Sequence, residues 1–229
     1  MQTKPLTRFF LTLLISNILY IPFVLAKDVK ILTPAALAKT AQHKTYVGVV
    51  PYYRLNNKIY ILLGRVTKDS RKVDAGVYAD FGAAVKINDI TILQKAVNVL
   101  NQDTMGKLKF SEQELIKSGK VVHKQVEPDH DVYYIFYKVS QQQFLKIKKF
   151  NVPHARLKAS SLANTNLEKD QFVWFSLDGL LLNAPDEFDS QRKFDVNTID
   201  GKQVSINLRK YFILDCLQNP ELPDLMKSI

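Results

Sequence analysis

Two hydrophobic periods alternate along this chain. Thr45 to Tyr53 is rich in β-branched and aromatic residues (Val47, Val49, Val50, Tyr52, Tyr53), and Ile59 to Val66 is a second such run. Leu55-Asn56-Asn57-Lys58 between them has turn composition, so the pair predicts a β-hairpin. Val77 to Val85 is a third extended stretch, interrupted at Gly82. Leu93, Ala96, Val97 and Leu100 then repeat at i, i+3, i+4 and i+7. That spacing predicts a helix with one buried face, capped by Asn88 or Asp89, running to about Gln102 and stopped by Gly106.

Ser111 with Glu114 three residues on reads as a capping box opening a short helix. Lys120 to Val126 and Val132 to Val139 read as strands joined by Glu127-Pro128-Asp129-His130-Asp131. Alternation along the second of these predicts that half of its aromatic side chains are core. Residues 140–150 read as a helix carrying Phe144, Leu145 and Ile147, and 153–169 as a polar connection. Gln171 to Ser176 predicts a strand holding Trp174, buried near the last helix, followed by a short helix over Leu177 to Leu182. Asn183 to Asn197 reads as an acidic loop, Asp200-Gly201 as a hairpin turn, and Asn207 to Leu217 as the last helix. Near the start, Thr33 caps a short helix with Pro34 at its first position. Strands with helices inserted between them argue an α+β fold.

The first 26 residues stand apart. Lys4 and Arg8 precede an uncharged, apolar run from Phe9 to Ala26, and charged Lys27-Asp28 follows. This is the layout of a secretory signal peptide, cleaved after Ala26; the alternative is an uncleaved anchor, because the run approaches spanning length. The expectation is therefore a secreted or periplasmic protein with one domain over residues 27–229, its core at about 45–217.

Composition narrows the chemistry. Among 229 residues, 32 Lys and Arg oppose 22 Asp and Glu, a net charge of +10, with 46% hydrophobic residues. That is too apolar for a disordered chain. The single Cys216, in an apolar run, excludes an internal disulfide and a Cys-based zinc site and reads as a buried, inert thiol. No nucleophile elbow, phosphate loop, His-Glu-x-x-His or dinucleotide fingerprint occurs. Of the four histidines only His130 has carboxylates beside it in sequence. The positive charge suggests an anionic partner. Lysines interleaved with Tyr133, Tyr134, Phe136 and Tyr137 raise a third reading, single-stranded nucleic acid, which an extracytoplasmic address argues against.

Four segments, in order, resemble the Nudix hydrolase family. They are Leu62-Leu63-Gly64-Arg65, Gly76-Val77-Tyr78-Ala79-Asp80-Phe81-Gly82-Ala83, Ala96-Val97-Asn98-Val99-Leu100-Asn101-Gln102-Asp103-Thr104-Met105-Gly106, and Phe172 to Leu177 with Leu180-Leu181. The resemblance implies a mixed β-sheet flanked by helices. It also implies hydrolysis of nucleoside diphosphates linked to another moiety, with Mg²⁺ or Mn²⁺ as cofactor if the site is active and none if it is not.

The family motif places three glutamates at i, i+3 and i+4 of a helix, on one face, where they hold the ion that activates water. Here those positions are Val99, Gln102 and Asp103, and they are expected to share one cleft. The motif Arg falls on Asn98, and the loop Glu lands near Asp89. The resemblance thus implies Asp103 and Gln102 at degenerate catalytic positions, Asp103 and Asp89 as metal ligands, and Arg65, Phe81 and Gly82 as substrate contacts. A hard cation needs charged oxygens to offset dehydration, so weak or absent catalysis is expected. The alternatives are a hydrolase with relocated ligands, drawn from Asp89, Asp103, Glu127, Asp129, Asp131, Asp186, Glu187 and Asp189, or a non-catalytic module that binds a nucleotide derivative or a protein.

Overall fold

The β-rich runs assemble into a mixed sheet, in a computed structural model that describes residues 32–67, 75–87, 90–148, 169–184 and 193–229. The signal-peptide region, Asp89, and the acidic group Asp186, Glu187 and Asp189 lie outside the described residues, as does His154. Strands β1 (Lys44–Leu55) and β2 (Lys58–Val66) form the hairpin, with Leu55 opposite Lys58. Asn56 and Asn57 make its turn at φ of 49° and 61°, the left-handed region that Asn tolerates better than most side chains.

β3 (Tyr78–Ala79) pairs with β2, and β4 (Phe81–Val85) pairs antiparallel with β1. The break between them falls at Asp80 rather than at Gly82, which lies inside β4 opposite Gly48. β5 (Gly119–Glu127) and β6 (His130–Lys138) form a second hairpin, and β6 runs parallel to β1. β7 (Lys169–Ser176) pairs antiparallel with β2 on its outer side. The described part of this sheet has seven strands, with the order β3-β2-β1-β6-β5 along its main path.

Helices cover both faces, so the architecture is α+β, a mixed sheet flanked by helices. Helix α1 (Ile92–Asp103), α2 (Glu112–Ser118) and α3 (Gln141–Lys148) contribute to one core cluster with Val47, Val49, Leu62, Phe81, Ile135 and Trp174. The other cluster gathers Val50, Ile61, Leu63, Tyr134, Phe136 and Phe175. It packs under α4 (Leu177–Asn183), the hairpin β8 (Phe194–Asn197) with β9 (Gln203–Ile206), a π-helix (Phe212–Leu217) and α5 (Leu222–Lys227). Because both faces are covered, every residue of β6 from Val132 to Tyr137 is buried, not alternate ones. Each such burial contributes roughly 1.5–3 kcal/mol.

Local signals hold where the chain is self-contained. The Ser111 capping box forms with both of its hydrogen bonds. Gly106, at φ 67°, follows α1 and donates its N–H to the Asn101 carbonyl. Tertiary contacts move other boundaries. The cap of α1 is Thr91, itself extended, which accepts from the Gln94 N–H and forms a β-bridge with Thr40. Phe194–Asn197 is a strand, not loop, since Asp200-Gly201 turns it back onto β9. Trp174 is buried, but against Phe144 of α3 at 5.3 Å, on the face away from the C-terminal helices. Among the described residues no helix is long and apolar enough to cross a membrane.

Candidate functional site

The three motif positions on α1 do not share a cleft. Val99 and Asp103 are buried, 7% and 2% exposed, while Gln102 faces solvent. The amphipathic face that packs α1 onto β4 and β1 takes Val99 with it, so the position chemistry would need is spent on packing. Among the described residues, no three His, Cys, Asp or Glu side chains gather where a metal ion could sit. A divalent cation takes several charged oxygens, and this helix offers one carboxylate, withdrawn into the core. The donor set does not fit a Mg²⁺ or Mn²⁺ centre of the family type, and no reaction step through such an ion follows from these residues.

Phe81 also belongs to the core. Its side chain is fully buried and stacked at 6.0 Å on Phe172, so it has no surface to give a substrate. Gly82 serves packing as well. A Cβ there would strike the Tyr46 hydroxyl and the Asp80 carboxylate.

Asp80 itself is 1% exposed and accepts the Tyr46 O–H at 2.8 Å on Oδ2, while its Oδ1 receives no hydrogen bond. Burial pushes its carboxyl above the usual range, and the charges of Lys169 and Arg209 pull partly back. Burial, then Asp80, holds the Tyr46 hydroxyl well above its ordinary value.

Arg65 is the predicted contact residue that reaches a cavity. It lines a groove of about 470 Å³ with Gly76, Tyr78, Lys148, Lys193, Lys202 and Asn207 among others, between β7 and the β8–β9 hairpin. Arg65 Nε donates to Asp170 at 2.8 Å, and Tyr78 donates its hydroxyl to Gln171 at 2.7 Å, which fixes both side chains along the groove wall. Lys148 pairs with Asp200 at 2.6 Å. With Arg65 and Lys148 so balanced, the excess positive charge of the lining comes from Lys193 and Lys202. The groove offers cationic ends, side-chain hydroxyls from Thr198 and Ser205, and apolar side chains from Val173 and Ile199. That combination suits an anionic molecule with an apolar body.

A second polar cluster was invisible in sequence. Asp131 accepts from His43 Nε2 at 2.6 Å on Oδ2 and from His123 Nε2 at 2.8 Å on Oδ1, with Tyr133 donating to Oδ2 at 3.2 Å. The two histidines, not the neighbouring His130, are the partners. Strand pairing explains this: Thr45 stands opposite Asp131 in β1–β6, and His123 opposite Tyr133 in β5–β6. Burial pushes the Asp131 carboxyl up, but hydrogen bonds from His123 and His43 outweigh it and hold it below the usual carboxylate value. One carboxylate thereby ties the edge strand β5 and the segment entering β1 to β6. Each histidine bonds a different oxygen of Asp131, so the set is a hydrogen-bonded clamp rather than a shared ligand shell.

No known family signature matches the chain, and no curated protein matches it in sequence. Solved structures with a similar course include the Nudix hydrolase RenU from M. smegmatis, 13% identical, covering 82% of this chain and 89% of that one at a TM-score of 0.46. A mutT/nudix family protein from Listeria innocua is 14% identical over 63% of this chain and 83% of its own, with a TM-score of 0.35. The C. elegans Ap4A hydrolase, in a binary complex, is 15% identical over 60% of this chain and 83% of its own, with a TM-score of 0.35.

Proposed function

We propose that this chain is an exported Nudix-like protein with a degenerate catalytic helix, which binds an anionic small molecule of the nucleotide-derivative class and hydrolyses it weakly or not at all. The observation that carries this reading is the donor set on α1: a buried Val99, an exposed Gln102 and a single, buried carboxylate at Asp103. The groove beside Arg65, with Lys193 and Lys202, supports the binding half. Its ligand is held by charge and by hydrogen bonds to the lining, with no activated water beside it.

The test is calorimetric titration of the protein with ADP-ribose, with and without Mg²⁺, alongside product analysis. The expected result is saturable binding that Mg²⁺ does not strengthen, weakened about tenfold by Lys202→Glu as a close charge pair becomes a like-charge contact. Robust Mg²⁺-dependent hydrolysis that Asp103→Asn abolishes would overturn the reading, because Asp103 would then belong to a working metal site. Export rests on Lys4, Arg8 and the apolar run to Ala26. N-terminal sequencing of secreted or periplasmic material should begin at Lys27; a chain that retains Met1 would make the segment an anchor.

A further inference from the structure

A second cavity, of about 420 Å³, lies where the starts of β1 and β6 meet the segment leading into the π-helix. Tyr46, Val132, Tyr134, Arg209, Tyr211 and Asp215 line it, with His130 beside them. Two of its tyrosines are held in place. The Tyr46 hydroxyl is tied to Asp80 at 2.8 Å, and the Tyr134 hydroxyl donates to the Tyr211 carbonyl at 3.4 Å. The Tyr46 and Tyr134 rings stand 6.0 Å apart at 56°, and Tyr134 meets Phe212 edge-on at 5.9 Å. With its hydroxyl engaged, what the half-buried Tyr46 offers the cavity is ring surface, while Tyr134, 1% exposed, forms the packed floor behind it.

Tyr211 differs. It is 65% exposed, a large ring with little packing of its own, at a position that lines the same cavity. The wall charges already face opposite charges. Lys124 donates to Asp215 at 2.9 Å, and Arg209 acts on the buried Asp80 and on Tyr46. A charged ligand would therefore compete with existing pairs, whereas a flat apolar ligand would not. The volume falls in the range of small-molecule sites.

We propose that this cavity binds a neutral, flat, fused-ring aromatic molecule, against the rings of Tyr46 and Tyr211. The site is separate from the groove beside Arg65 and does not depend on that reading.

Indole is a suitable probe, titrated into the full chain by calorimetry while the Val132 methyl resonances are followed by NMR. The expected result is saturable binding to one site with ring-current shifts at Val132. Tyr211→Ala should weaken it about fivefold through loss of one aromatic contact. This exposed position lets the variant fold, as an unchanged melting curve would verify. Lys202→Glu, in the other groove, should leave indole affinity unchanged. Indole-3-acetate, the same ring with a carboxylate, should bind more weakly. No saturation, unmoved Val132 signals, undiminished binding to Tyr211→Ala, loss of binding in Lys202→Glu, or tighter binding of the carboxylate would each overturn the proposal.

Discussion

Tyr46 donates its hydroxyl to Asp80 across a pair of glycines, Gly48 on β1 and Gly82 on β4, which stand opposite each other in register. The glycines explain how a carboxylate can lie inside the sheet layer. A Cβ at Gly48 would fall on the Asp80 carboxylate and the Tyr134 ring, and one at Gly82 on Asp80 and Tyr46. Gly64 gives room to other neighbours, since a Cβ there would approach the stem of the buried Lys169 at 2.9 Å and the Phe81 ring at 3.2 Å.

Gly48→Ala should therefore cost about 1–3 kcal/mol, the usual penalty for overpacking a tight interior. Denaturant unfolding measures it. Combined with Asp80→Ala, the loss should fall short of the sum of the two single losses, because the clash partner is gone. Strict additivity would show that Gly48 is needed for another reason.

On α1, Gln102→Glu should change stability little, since the side chain faces water. Val99→Glu should lower it by at least about 2 kcal/mol, because a carboxylate would enter a packed apolar contact. Thermal melts of the two single variants and the double variant test this. A double variant as stable as the parent would mean that position 99 opens to a cleft after all.

Asp131→Asn should destabilise the protein by about 1–3 kcal/mol at neutral pH, as two histidine donors and a tyrosine lose a charged acceptor. The sign of the pH effect follows from the lowered carboxyl. Stabilisation by Asp131 is complete above the ordinary aspartate value of about 3.9 and is lost as pH falls through the lower folded value. The stability difference between parent and variant should shrink below that pH. A difference that stayed constant into acid would show that the carboxylate's charge contributes nothing.

Tyr133 supplies an alkaline counterpart. Burial, then the Asp131 charge and hydrogen bond, push its hydroxyl up to about 12. The raised value means that its contribution is complete below the ordinary tyrosine value of about 10 and is lost as pH rises through the folded one. Spectroscopic titration of tyrosinate should lose a component near pH 12 in Tyr133→Phe, and in Asp131→Asn that component should move to lower pH. Ionisation of Tyr133 near the ordinary value would contradict the clamp.

Much of this architecture was already written in short-range pattern. The heptad-like spacing of Leu93, Ala96 and Leu100 places α1, because a helix brings residues three and four apart to one face whatever lies beyond. The capping box at Ser111 and the Asn56-Asn57 turn are equally local, their hydrogen bonds and dihedrals being satisfied within a few residues. The missing glutamates on α1 are likewise read from residue identity alone. Long-range contacts settled the rest. Whether β6 shows one buried face or two depends on which layers cover the sheet, and α5 and the π-helix come from the far end of the chain. The break at Asp80 depends on Tyr46 reaching it from another strand. His43 and Asp131 are 88 residues apart and meet because β1 and β6 pair in parallel, a register that no local pattern encodes. The groove needs β7 and the β8–β9 hairpin side by side, so Arg65 could be picked out from its segment while Lys193 and Lys202 could not.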